Sequence, residues 1–432
     1  MYRIQMEALQ KWKTKKNRKP LLLSGARQVG KTWLAKEFGR LFFEKTAYIN
    51  MDNNTVMRDV FEQGYNIDTI ISAFKIESGV HITPENTLII IDEIQEVPKA
   101  LSSLKYFCEN APEYYIIATG SMLGIALHEG TSFPVGKVNT MSLFPLTFYE
   151  YLLACGKDEL ANLIHTHNYE LINTFSTELT TVLKEYYYVG GMPEVVQTFI
   201  DNHDYNEVRE LQNELLSFYS NDFSKHAPAN VAERIQMVWS TLPKQLSKEN
   251  KKFIYGLVRE GARAKDYEVA IQWLVDIGLV HKCYRLSKPY LPLKSYIELD
   301  HFKLYMFDIG LLSAMSGLDV HTILEKNKIF VDFKGALTEQ YVAGELIAHG
   351  LPLYYYSTPN STGEIDFILQ NHSDIMPIEV KAEENLKAKS LRAFREKYQP
   401  DLSIRTSLSN YKEQDWMVNV PLYMIVEYLE NR

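Results

Sequence analysis

The stretch Gly25-Ala-Arg-Gln-Val-Gly30-Lys31-Thr32 sets two glycines, a lysine and a hydroxyl at the spacing GxxxxGK[ST]. The glycines let the backbone curl, so that N–H groups along Gly25, Ala26, Arg27, Gln28, Val29 and Gly30 can face phosphate oxygens. A helix opening there adds its N-terminal dipole. Lys31 is spaced to reach the β- and γ-phosphates of a nucleotide, and the Thr32 hydroxyl to ligate Mg²⁺. Further on, Leu88-Ile-Ile-Ile-Asp92-Glu93 is an apolar run closing on two acids. Asp92 would hold the magnesium, and Glu93 would orient and deprotonate an attacking water. A third run, Tyr114-Tyr-Ile-Ile-Ala118, leads into Thr119-Gly-Ser121, hydroxyls able to sit beside a γ-phosphate. A glycine turn and an exposed acid pair are the bland alternative, but they leave three pieces in chain order unexplained. ATP with Mg²⁺ is the expected ligand, and Lys31 and Glu93 are the expected catalytic groups.

A second set of residues could hold another divalent ion. Glu339 falls in a helical stretch, Asp366 in Gly363-Glu-Ile-Asp-Phe-Ile-Leu369, and Glu379 and Lys381 in Pro377-Ile-Glu-Val-Lys381. Asp366 and Glu379 are 13 residues apart, enough for a hairpin to bring them together. Glu379 and Lys381, two apart on a strand, project from one face. Clustered carboxylates offer Mg²⁺ hard oxygen ligands, and a bound ion can activate water against a phosphodiester. Lys381 could position that water or neutralise the phosphate. The expected ligands are Glu339, Asp366 and Glu379, with Glu379 and Lys381 catalytic. An exposed E-x-K ion-pair face and a solvated helical Glu339 are the structural alternatives.

Up to about Glu150, short continuous apolar runs alternate with helix-length segments, which predicts a parallel sheet covered on both faces. From Tyr151 to about residue 225 strand signals vanish and amphipathic helices follow. From about residue 226 to 320 come further helices and then strands near Leu279–Leu286 and Lys303–Phe307, a winged-helix pattern. From about residue 321 to 432 a helix (Ala336–Ala348) and strands return. The fold class is therefore α/β multidomain: a parallel-sheet nucleotide core at 1–150, a helical lid at 151–225, a winged-helix-like region at 226–320, and an α/β region at 321–432.

The chain has 432 residues, of which 46% are hydrophobic and 23% charged. That mix builds a core and excludes disordered or fibrous classes. A net charge of -8 excludes a uniformly basic nucleic-acid coat. Local cations remain: Lys11, Lys13, Lys15, Lys16, Arg18 and Lys19, for which a solvated helix face is the simpler reading; then Lys244, Lys248, Lys251, Lys252, Arg263 and Lys265; and Lys387, Lys389, Arg392 and Arg395. The last two groups could meet DNA phosphates, giving salt-sensitive binding. Three scattered cysteines offer neither a metal pair nor a disulfide framework. With no run long enough to span a bilayer, the expectation is a cytoplasmic protein without a membrane partner. Lys137 follows the run ending in Thr119-Gly-Ser121, where phosphoryl transfer could use a cation from a neighbouring subunit of a homo-oligomer; a solvated loop lysine is the plainer assignment.

The strings GARQVGKT, LIIIDEIQ, SLFPLTFYEYL, YYYVGGMPEVV and FKLYMFDIGLL resemble those of prokaryotic AAA-type P-loop ATPases carrying a C-terminal winged-helix and nuclease-like region. Lys137 departs from the arginine that many members carry. Glu339, Asp366, Glu379 and Lys381 resemble the PD-(D/E)XK, restriction-endonuclease-like pattern with an added helical glutamate. The resemblance implies an ATPase whose nucleotide cycle controls a Mg²⁺-dependent nuclease acting on DNA. The alternative is a nucleotide-switched binding protein with an inactive nuclease-like scaffold.

Overall fold

The computed structural model describes residues 1–121, 133–248, 252–324, 331–358, 363–382 and 388–430. Lys251 and Lys387, two of the cations named above, lie outside the described residues. The chain divides into two compact units, 1–144 with 276–278, and 145–275 with 279–432.

The first unit is built on strands β1 (Leu21–Ser24), β2 (Lys45–Asn50), β3 (Thr87–Asp92), β4 (Tyr115–Gly120) and β5 (Asn139–Ser142). They form one all-parallel sheet in the order β2-β3-β4-β1-β5. Every residue of β3 is buried, which is why its sequence is continuously rather than alternately apolar. On one side Ala47, Ile49, Ile89, Ile91, Ile116 and Ala118 pack with Phe61, Phe74, Leu104 and Phe107 from the covering helices. The register aligns the strand ends: Ser24 opposes Gly120, Ile91 opposes Ala118, and Asn50 opposes Asp92. The chemical residues at those carboxyl ends are thereby brought to one edge, where open parallel sheets bind ligands.

The second unit opens with helices, among them Ser176–Val189, Tyr205–His226, Ala229–Leu246 and Ala264–Asp276. Two sheets follow. Strands β6 (Val280–Leu286), β7 (Ile297–Met306), β8 (Tyr354–Ser357) and β9 (Glu364–Ile365) lie in the order β7-β6-β8-β9. Strands β10 (Phe367–Asn371), β11 (Asp374–Val380), β12 (Ile404–Ser407), β13 (Lys412–Gln414) and β14 (Met417–Pro421) lie in the order β10-β11-β12-β14-β13. The helices are followed by the antiparallel β6–β7 pair. However, β6 also pairs in parallel with β8, from beyond residue 320, so one sheet draws strands from both sides of that expected boundary. No described helix is long and apolar enough to cross a membrane.

Candidate functional site

Gly30 takes a left-handed conformation (φ 93°) as the N-cap of the helix Lys31–Phe42, a backbone state that glycine adopts without steric cost. Gly25 also has positive φ, and a Cβ there would stand 2.2 Å from the carbonyl oxygen of Leu143. The loop between them is thus pressed against the chain just after β5. Arg3, buried at 3% exposure, donates to the Val29 carbonyl (3.0 Å) and to that of Phe144 (2.5 Å). Lys31 is buried beneath the loop and its Nζ donates to the carbonyls of Gly25 (3.0 Å) and Ala26 (2.7 Å). Burial lowers its pKa to about 8, against the opposing pull of Glu93 and Asp92. Its two carbonyl bonds are neutral acceptors, which an anionic phosphate would outcompete.

Asp92 ends β3 and is 5% exposed. It accepts from three hydroxyls: Thr32 at 3.0 Å to each carboxylate oxygen, Tyr48 at 2.8 Å, and Thr119. The phenol of Tyr48 is held well above its usual pKa, by burial and then by this hydrogen bond. Glu93 follows in a left-handed conformation (φ 50°, ψ 47°) that a non-glycine residue enters only at a cost. Its Oε2 accepts from Gln95 at 2.5 Å and from Ser121 at 3.3 Å. The loop, the two acids and both hydroxyls of the third motif therefore converge, with β4 inserted between β1 and β3 as the sheet order requires. Reading the sequence missed Arg3 and Tyr48. Arg3 is one cation in a polar N-terminal segment, and Tyr48 is one aromatic in an aromatic-rich chain, so neither carried a local signal.

The second set lies where the two sheets of the second unit meet. Asp366 sits between β9 and β10, at the point where the chain leaves one sheet for the other, and its Oδ2 accepts from the Val380 backbone at 2.8 Å. Glu379, on β11, is 3% exposed; its Oε1 pairs with Lys381 Nζ at 2.8 Å. Its Oε2 is buried with no hydrogen-bond partner among the described residues. Burial would lower the pKa of Lys381, but Glu379, then Asp366 and Glu339, hold it above the ordinary lysine value. Arg405 lies opposite Glu379 on β12 and donates to Asn419 at 2.8 Å.

Glu339 comes from the helix Val331–Ala348. That helix is docked on β7 by Gln340, whose amide bonds both the N–H (2.9 Å) and the C=O (2.5 Å) of Met306. Lys303 and Tyr305, two apart on β7, both donate to Glu339 Oε1, the lysine at 2.8 Å. Lys303 also reaches Glu364 Oε1 at 2.7 Å. Among the described residues no group of three or more acids, histidines or cysteines is arranged to hold a metal ion. What the structure presents instead is a carboxylate pair beside Lys381, and a helical glutamate engaged by a lysine that the sequence marked only as part of a strand.

Lys137 pairs with Glu109 at 2.8 Å, as a solvated loop lysine does. Lys13, Arg18 and Lys19 donate to backbone carbonyls of the first unit, whereas Lys11, Lys15 and Lys16 are exposed, so half of the N-terminal run is packing and half a solvated face. Lys244, Lys248, Arg263, Lys265, Lys389 and Arg392 are exposed, Lys252 and Arg395 partly so, and Arg392 stacks 5.0 Å over Trp416.

Residues 17–152 match the family described as AAA domain. Residues 180–322 and 334–425 match two families described as domains of unknown function, DUF8612 and DUF4143. Comparison with curated proteins gives no match. Among solved structures, the Walker-type ATPase PABY2304 of Pyrococcus abyssi is 15% identical, with 72% of this chain and 95% of that chain covered and a TM-score of 0.44. The Aeropyrum pernix ORC1 protein in complex with DNA is 12% identical, covering 72% and 90%, with a TM-score of 0.28. AMPPCP-bound DnaA from Aquifex aeolicus is 14% identical, covering 63% and 84%, with a TM-score of 0.27. These likenesses are weak, so the assignment rests on the matched domain and on the motifs of the chain itself. The first unit is a P-loop ATPase domain of the AAA type. The family matches to the second unit carry no function.

Proposed function

We propose that this chain hydrolyses ATP with Glu93 as the base, and that its nucleotide cycle governs a Mg²⁺-dependent, nuclease-like centre acting on DNA. The observation that carries the first part is the placement of Glu93. It is held in a strained backbone conformation, with its carboxylate oriented by Gln95 and Ser121, one residue beyond the buried Asp92. On nucleotide binding Lys31 exchanges two neutral carbonyls for phosphate oxygens. Glu93 then orders a water and takes its proton. Thr32 and Asp92 would hold the magnesium, which when bound neutralises charge on the phosphates. Replacing Glu93 with Gln leaves nucleotide binding intact and abolishes turnover; retained turnover would show that another base serves.

For the second centre, Lys381 pairs with Glu379 Oε1, but Oε2 is buried without a hydrogen-bond donor among the described residues, and it fits an ion shared with Asp366. An ion there would activate a water against a phosphodiester. Lys381 stands beside it to position that water or receive the charge of the phosphate. Exposed cations on the helices Ala264–Asp276 and Lys389–Tyr398 supply surfaces for a DNA backbone. The pairing of Glu339 with Lys303 favours a second reading, in which the centre is a folded scaffold and ATP switches only the binding of a partner. Glu379→Gln and Lys381→Ala separate the two: metal-dependent DNA cleavage that survives both substitutions removes this centre from the account. Division of the second unit into lid, winged-helix and nuclease-like regions, and assembly into a homo-oligomer, belong to the same proposal.

A further inference from the structure

Lys303 has no part in the chemistry just described, yet it is fully buried and bridges two carboxylates from different elements, Glu339 and Glu364. Its ammonium also lies 4.8 Å from the ring centre of Tyr355. We propose that Lys303 is a built-in cation filling one of two cation positions in this centre, so that a single divalent ion is taken up, on Asp366 and Glu379. The inference rests on the reading of Asp366 and Glu379 as ion ligands and adds a count to it.

Three observations support the count. A cation joining oxygens from a helix and a strand end is what a second divalent ion would do there, and Lys303 already does it. The Glu339 oxygen it touches also accepts from Tyr305, and two donors use both lone pairs of that oxygen. In contrast, Glu379 keeps one buried oxygen without a donor among the described residues. The ammonium is also not easily discharged. Two carboxylates flank it, Glu339 at 2.8 Å and Glu364 at 2.7 Å, and both favour the charged form. Nor is it easily displaced, because withdrawing one partner of a buried pair strands the other charge.

The test is Mn²⁺ binding to the nucleotide-free full chain, counted by electron paramagnetic resonance; ions belonging to this centre are those lost when Glu379→Gln and Glu339→Gln are introduced together. Wild type is expected to bind one such ion, Lys303→Arg one, and Lys303→Met two. Two such ions in wild type, or only one in Lys303→Met, overturn the inference. No such ion in wild type overturns instead the underlying reading of Asp366 and Glu379, which keeps the two failures distinct. Should Lys303→Met fail to fold, it is refolded with Mn²⁺: recovery of a cooperative unfolding transition supports the inference, and none overturns it.

Discussion

Asp92 and Glu339 are both buried carboxylates in centres read as phosphate-handling, and they are satisfied in opposite ways. Asp92 accepts from three neutral hydroxyls, Thr32, Tyr48 and Thr119. Glu339 accepts from a buried ammonium as well as a phenol. A neutral hydrogen bond contributes about 0.5–1.5 kcal/mol net, so a divalent ion can replace hydroxyl donors at small loss. A buried ion pair resists exchange, because releasing either partner leaves an uncompensated charge. On the proposed function, the first centre would gain and lose a cation with each nucleotide, whereas Glu339 in the second is already matched by a buried ammonium.

Four experiments would sharpen or break that contrast. The largest effect is expected at Glu93→Gln: ATP turnover falls by about 10²- to 10⁴-fold, the usual contribution of a general base, with nucleotide binding retained. Phosphate-release kinetics beside equilibrium nucleotide titration check both halves. Next, Lys303→Met should destabilise the second unit by about 3–5 kcal/mol in chemical denaturation without metal. Lys303→Met with Glu339→Gln should recover part of that loss. An additive double variant would mean that the two side chains do not act as a pair.

The third is a pH dependence. Without nucleotide Lys31 stands at about 8, so above that value the unliganded protein increasingly holds it neutral, while bound phosphate favours the ammonium. Apparent ATP affinity should fall as pH rises through 8, approaching about tenfold per pH unit, in titrations from about pH 7 to about pH 10. A flat profile would mean that Lys31 does not change protonation on binding. The smallest effect is expected at Tyr48→Phe, which removes one of three hydroxyl donors to Asp92. It should cost about 1 kcal/mol of stability and leave turnover within a few-fold of wild type. A large loss of turnover would give the phenol a role in the reaction itself.

The first centre was readable from the sequence because its parts are contiguous strings whose spacing is fixed by the loop and by strand ends. β1, β3 and β4 appeared as largely apolar runs, whereas β2 is a mixed segment with only Ala47 and Ile49 buried. The second was readable only in part. Glu379 and Lys381 are two apart on one strand and announce themselves. Lys303 meets Glu339 and Glu364 only through sheet pairing and helix docking, across 36 and 61 residues. β12 and β14 were not foreseen. Ser403, Arg405, Thr406, Ser407 and Asn419 are all buried there, so hydrophobic periodicity points the wrong way. The join between β6 and β8 was equally hidden, because a parallel pairing leaves no turn signature to read.

Arg3 grips two carbonyls at once, Val29 within the phosphate loop and Phe144 at the last residue before the polypeptide leaves the first unit. Gly25, at the start of the same loop, abuts Leu143. The loop and the exit of the chain are therefore mechanically tethered by one guanidinium and one glycine contact. Any backbone adjustment on filling the loop must either carry the segment at Leu143 and Phe144 along or rupture a buried hydrogen bond, which makes the N-terminal arginine a lever arm.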